Sequence, residues 1–196
     1  MKNYLVNVNL YGEKTEMEVV VFDKKDVQSW REMFECWLKL KNALRTFGAR
    51  EPNLPEGISE IAHCILTGSV RKAVSDKQKS KKTKSSSSSS FDTFNIRHNR
   101  AEQIKACSVE EDLTSFGPKS KWDDLIFMDF YNGGNVNGSF NAYLVPTELI
   151  YKSKVNAKST FADFQKAGKR PRLSIKEIIL KSNIRPFAEN IRIWEI

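Results

Sequence analysis

The stretch that decides the fold is FDTFNIRHNRAEQIKACS, residues 91–108. Its two ends, FDTFNI and EQIKACS, have the apolar content of strands, and RHNRA between them is a polar turn. The stretch reads as a β-hairpin. Asp92 falls on its first strand, and Gln103 and Lys105 on its second. Side chains alternate along a strand, so Gln103 and Lys105 share a face while Ile104 points to the other. A carboxylate, an amide oxygen and an ammonium are therefore expected at one edge of a hairpin. The two oxygens are hard donors of the kind Mg²⁺ accepts, and a bound cation polarises a phosphate and acidifies a water. A lysine there would steady charge building on phosphorus. The plain alternative is that Asp92 is an ordinary strand-edge acid. Glu102 is a rival ligand to Gln103, but it lies on the strand face opposite Lys105.

Working outward, NYLVNVNLYGEKTEMEVVVFD reads as an N-terminal hairpin, with Tyr4, Val6, Val8 and Leu10 on one face and Gly12 at the turn. From Lys24 to Phe47 the apolar spacing is helical, through Val27, Trp30, Met33, Phe34, Trp37, Leu38, Leu40 and Leu44. Asp23 or Asp26 is placed to cap this helix, and Gly48 to stop it. EGISEIAHCILTGSVRKAV reads as a second helix with Ile58, Ile61, Ala62, Ile65 and Leu66 inward. His63 reads as a core histidine, His98 as an exposed turn residue and Cys107 as a packing residue. Beyond the central hairpin, Leu125 to Tyr131 and GSFNAYLVP read as strands, and PTELIYKSK as a short helix or turn. Two helical pieces broken at AGKRPRL follow. The fold class expected is mixed α+β, α/β in the broad sense, with a central mixed sheet flanked by helices.

A chain of 196 residues suits one domain with a sizeable core. A net charge of +8 points to a polyanionic partner. The three cysteines match no metal-ligand spacing and read as reduced thiols of a cytoplasmic protein. No apolar run approaches the roughly 18 residues that a membrane span needs, and the N-terminus alternates rather than forming a leader.

Asp92 followed by Gln103-Ile104-Lys105 resembles the PD-(D/E)XK nuclease signature, with Gln in place of the usual acid. The strings DLTSFGPKSKWD, LPEGISE and GKRPRLSIKEII extend the likeness over roughly residues 50 to 180. They are similar to a small family of Type II restriction endonucleases whose best-known members, from bacilli, cut within GCNGC. The resemblance implies a single nuclease domain over residues 1–196, with a catalytic core at 56–185. Residues 1–48 are then an added hairpin and helix, a candidate dimerisation element in which Trp30 and Trp37 face either a partner or the core.

The resemblance also implies a bacterial, cytoplasmic, Mg²⁺-dependent enzyme, with Mn²⁺ as a substitute, that cuts double-stranded DNA at a short palindrome. It would act as a homodimer beside a cognate methyltransferase. Asp92, Gln103 and Glu60 are the implied metal ligands, with Glu56 a second choice to Glu60, and Lys105 completes the catalytic set. The site would be one negative charge short at Gln103.

Candidate DNA contacts are Ser90, Arg97, Arg100, Ser115, Lys119, Lys169, Arg170 and Arg172, with Ser120 and Lys166 beside them. Arg suits bidentate reading of guanine, although solvated charge would explain each run as well. Arg71 to Lys84 is a second basic segment. The six serines Ser85 to Ser90 look like a linker in composition. With Glu60 before them and Asp92 after them in one site, they become an intradomain connection whose last members, Ser89 and Ser90, lie near the scissile phosphate. Two other readings stay open, a nicking or repair nuclease of the same fold and a non-catalytic basic DNA-binding module.

Overall fold

The structure is a computed structural model and describes residues 3–73 and 91–196. The expectations for Ser89, Ser90, the serine run and the basic residues Lys77 to Lys84 lie outside the described residues.

Strands β1 (Asn3–Leu10) and β2 (Glu13–Val20) form the N-terminal hairpin. Its two-residue turn, Tyr11-Gly12, has positive φ at both positions, as the twist of a tight hairpin demands. A short 3₁₀ turn at Lys24–Asp26 is capped by Asp23, whose carboxylate accepts from the Lys25 amide at 2.7 Å. Helix α1 (Val27–Thr46) follows directly, without a side-chain cap from Asp26, and ends before Gly48. Helix α2 (Glu56–Thr67) stops earlier than its apolar pattern suggested. Gly68 takes the left-handed conformation and closes the last turn on the Cys64 carbonyl. The chain then becomes strand β3 (Val70–Lys72), which the sequence reading had continued as helix.

The central hairpin forms as expected, from β4 (Thr93–Asn95) and β5 (Arg100–Cys107). After it come β6 (Thr114–Ser115), β7 (Asp124–Asp129) and β8 (Phe140–Val145). Short helices α3 (Thr147–Lys152), α4 (Phe161–Lys166) and α5 (Ile175–Lys181) alternate with β9 (Arg172–Leu173), and β10 (Ala188–Ile191) closes the sheet. The sequence reading did not find β6, β9 or β10.

Eight strands pair in the order β1-β2-β3-β4-β5-β7-β8-β10, so the N-terminal hairpin is the edge of the central sheet. Among the described residues only β5 and β7 run parallel, joined by the crossover that carries β6, so the sheet is mixed. Strand β5 is covered on both faces. Ile104 and its β7 neighbour Ile126 pack under α1 and α2 with Trp30, Phe34, Ile58 and Ala62. Leu125 and Phe127 pack on the opposite face with Ile150, Phe161, Ile175 and Ile179 of the C-terminal helices. Trp30 and Trp37 are both buried; the Trp30 indole donates to the Ile58 carbonyl at 2.7 Å and ties α1 to α2. These two side chains are core, not a surface for a partner. Lys41 is also buried, and donates to the Ser108 carbonyl at 3.0 Å at the end of β5. Among the described residues no helix is long and apolar enough to cross a membrane.

Gly138 is held at φ +88°, and a Cβ there would sit 2.1 Å from Cη2 of Trp194. Gly48 is also left-handed, at φ +63°, but has open space around it. Gly48→Ala should therefore lose only the left-handed strain, about 1–2 kcal/mol. Gly138→Ala should lose about 3 kcal/mol or more in urea denaturation, because overlap adds to strain. Equal losses would show that the Trp194 ring moves aside freely.

Candidate active site

Register decides which side chains meet. Thr93 pairs with Glu102, so Asp92 stands next to Gln103 at the end of the β4–β5 ladder. On β5 the next amide toward β4 is that of Ile104. It donates to Asp92 Oδ2 at 2.8 Å, so the carboxylate takes the place of the missing strand partner. Gln103 Nε2 donates to the same oxygen. A 180° turn of that amide would present Oε1 instead. Lys105 lies on the Gln103 face, paired with Phe127 in register, and its Nζ is 5.5 Å from the Phe116 ring centroid.

Glu60, on α2, stands near enough for its negative charge to act on Asp92. It is buried, and its Oε2 accepts from Arg71 Nε on β3. Burial pushes the Asp92 carboxyl up to about 7, and the negative charge of Glu60 adds to the push. The Lys105 ammonium and the Ile104 amide work against it, and Glu56 adds a smaller upward effect. The structure thus brings Asp92, Gln103, Lys105 and Glu60 together, with Glu56 at the margin in the first turn of α2. Lys105 and Glu56 also line a cleft of about 390 Å³, walled by Ser59, Lys41, Asp112 and Ser115 among others.

Glu102 is not part of this cluster. It is buried on the α2 side, where its Oε2 accepts from His63 Nε2 at 2.9 Å and from Thr93 Oγ1 at 2.8 Å. An ionised carboxylate only accepts, so His63 Nε2 carries the hydrogen. Burial acts to raise the Glu102 carboxyl, but His63, Thr93 and Ser69 outweigh it and hold it below the usual range. His63 is therefore a bonded core histidine through Nε2, and His98 is exposed in the hairpin turn.

The candidate DNA contacts fall into two groups. Strands β6 and β9 pair Ser115 with Arg172, and Phe116 N donates to the Pro171 carbonyl at 3.0 Å. Gln165 Nε2 donates to the Gly117 and Ser120 carbonyls at 3.2 and 3.1 Å. The loop with Ser115 and Lys119 and the loop with Lys169, Arg170 and Arg172 are therefore one ridge beside the cleft, with Lys119 and those three residues exposed. Ser120 is buried at its base. Arg97 is exposed in the hairpin turn. The Arg100 guanidinium is already engaged by Asp124, with Nη2 at 2.6 Å from Oδ1, and works first as a brace between β5 and β7. Asp112 and Asp129 were not foreseen. Asp112 accepts from the Ser174 hydroxyl and the Ile175 and Lys176 amides at 2.8, 3.0 and 3.2 Å, and so fixes the start of α5. Asp129 pairs with Lys176 at 3.2 Å and accepts from Cys107 Sγ.

The family model for the Bsp6I restriction endonuclease matches residues 22–182, a span that holds all four clustered residues and both ridge loops. The chain belongs to the Bsp6I restriction endonuclease family. The Type II restriction enzyme Bsp6I of Bacillus sp. (strain RFL6) is 26% identical over 175 residues, covering 88% of this chain and 91% of its own length. No solved structure matches the chain. Among the described residues, no three His, Cys, Asp or Glu side chains stand close enough to hold a metal. Glu60 is buried and Asp92 half-buried, and their carboxylates with a neutral amide oxygen are hard donors, the type that Mg²⁺ accepts beside several waters.

The raised carboxyl gives a stability signature in metal-free buffer. Asp92 holds its proton to about pH 7 when folded, against an ordinary value of 3.8. Its contribution therefore becomes less favourable as pH rises from about 4 to about 7, and the penalty is full above that. Asp92→Asn removes the penalty and keeps the shape. With chelator present, the variant should melt several degrees above the parent at pH 8 and close to it at pH 4. A variant that melts lower at pH 8 would show that the Asp92 charge is well compensated.

Proposed function

We propose that this family member is a Mg²⁺-dependent Type II restriction endonuclease that cuts both strands of DNA at a short palindromic site. Asp92, Gln103 and Lys105 on one hairpin edge, with Glu60 of α2 near them, carry the reading. The mixed sheet around that hairpin supports its assignment as a PD-(D/E)XK core. The resemblance to enzymes that cut within GCNGC makes that site the first to test. A homodimer, a cognate methyltransferase and a bacterial cytoplasmic setting belong to the same reading.

Asp92 and Glu60 would hold the cation, with Gln103 turned to present its carbonyl, and Arg71 is the internal cation that a metal must displace from Glu60. A Mg²⁺ ion held there would supply Lewis acidity toward a phosphate oxygen and a bound water, and Mn²⁺ would substitute. The Lys105 ammonium sits where it can stabilise the pentacovalent phosphorus. The ridge of Ser115, Lys119, Lys169, Arg170 and Arg172 would grip the backbone and supply base contacts, with Arg97 at the far end of the hairpin.

A plasmid digest tests the assignment. Discrete fragments should appear with Mg²⁺ or Mn²⁺ and none with chelator. Lys105→Ala should slow cutting by about 10²–10³-fold while DNA binding without metal is kept. Gln103→Glu should retain cutting and Gln103→Leu should lose it. Full activity of Lys105→Ala would remove the assignment, and strand nicking alone would favour a nicking enzyme. On the ridge, alanine in place of a phosphate-binding Lys or Arg should lower affinity for all sequences and reduce the salt slope by about 1. A base-reading Arg should instead relax specificity at one position.

A further inference from the structure

We propose that α1 pairs with α1 of a second copy of this chain, antiparallel, about a two-fold axis at Cys36. The proposal rests on the homodimer reading and names its interface. Helix α1 carries two apolar faces. Trp30, Phe34 and Trp37 fill the chain's own core. A second row, Met33, Cys36, Leu40, Ala43 and Phe47, recurs at alternating intervals of three and four. Those are the a and d positions of successive heptads, the pattern of a helix that packs on another helix. At 100° per residue the five side chains fall within an arc of about 80°. The row is open to solvent: Met33 is 43% exposed, Leu40 53% and Phe47 85%, and Cys36 and Ala43 are exposed as well. Single exposed apolar residues need no explanation, but a continuous seam along a 20-residue helix does.

The flanks of the seam select its occupant. One flank is the protein's own core at Trp30 and Trp37. The other carries Glu32 and Lys39, seven residues apart and opposite in sign. Glu32 now accepts from Gln28 at 2.8 Å, an exposed pair one helical turn apart. An antiparallel pair centred at Cys36 brings Glu32 to within one residue of the level of the partner's Lys39, and the symmetry repeats the contact. Met33 then meets the partner's Leu40, and Cys36 meets the partner's Cys36. The patch is thus self-complementary in charge and in the spacing of its apolar side chains, as a two-fold interface requires. Its placement also suits the work. Lys41, on the same helix, lines the cleft beside Lys105, so pairing on α1 fixes the separation of two clefts across one shared element.

Cys36 makes the test direct, because Cys64 and Cys107 are buried. The native protein is treated with a short bismaleimide and run on a denaturing gel, and its mass in solution is measured by sedimentation. The native chain should sediment as a dimer and cross-link, and Cys36→Ser should abolish the cross-link. Leu40→Glu, at a position already exposed, should fold normally and sediment as a monomer. Glu32→Lys should weaken the dimer by about ten-fold or more, and Glu32→Lys with Lys39→Glu should restore it. A dimer that survives Leu40→Glu would overturn this interface and leave the homodimer reading standing. A dimer lost in Leu40→Glu but never cross-linked through Cys36 would overturn the antiparallel register. A native chain that stays monomeric at micromolar concentration, with and without DNA, would overturn both readings.

Discussion

Strand β5 is buried on both faces, yet it carries Glu102, Gln103 and Lys105 in succession. That constraint organises the rest of the structure. A buried polar group left without a partner costs about 1–3 kcal/mol, and more when charged, so each needs a partner on its own face. Glu102 finds His63 and Thr93 on the α2 side. Gln103, one residue on, points the other way and finds Asp92. Lys105 is the residue that meets a cleft instead of a fixed acceptor. Alternation along one strand therefore separates a closed structural bond from a side chain open to a cleft, within four residues.

The closed side serves the open one. The Glu102 bond to His63 ties β5 to α2, and α2 is the helix that delivers Glu60. The distance between Glu60 and the Asp92–Gln103 pair is thus set by a buried, charge-assisted contact rather than by loop positions. The price is an electrostatic imbalance. Asp92 and Glu60 share a buried place with Arg71 and Lys105 as their countercharges, and the Asp92 carboxyl stays poorly stabilised as an anion. Structural ion pairs are normally arranged the other way, with each acid held below its ordinary range, as Glu102 is. A carboxyl raised in this way beside a second acid marks the pair as a candidate functional site.

The hairpin and its consequences were legible because period-2 alternation needs only the local sequence. From FDTFNI and EQIKACS alone, Asp92, Gln103 and Lys105 fall on one face, and Glu102 falls on the other. The end of α2 was not legible from its pattern, because Val70 continues the apolar spacing of a helix. The left-handed Gly68 overrides it and turns the chain into β3. Strands β6, β9 and β10 are two to four residues long and draw their stability from partners distant in sequence, so no local signal marks them. Lys41 shows the same limit from the other side. A lysine in a helix reads as solvated, and only the fold brings the Ser108 carbonyl and Glu51 to its ammonium. Arg100 read as a free cation because Asp124 lies across a parallel pairing that sequence does not announce.

The same non-local pairing gives the basic surface its shape. Lys119 and Arg172 are far apart in the chain, and as separate runs each is explained by solvation. The two-residue ladder of β6 and β9, with the Gln165 and Pro171 contacts, joins them into one ridge. Asp112 then anchors the ridge to the start of α5, so the acid spends its charge inside the fold and leaves the cations outside. The exposed cations Lys119, Lys169, Arg170 and Arg172 are thus gathered on one ridge. Asp92 and Glu60 differ from that ridge in having cations beside them, Lys105 for the first and Arg71 for the second. The ridge keeps its charge toward solvent, whereas the charges of the hairpin edge are largely met inside the fold.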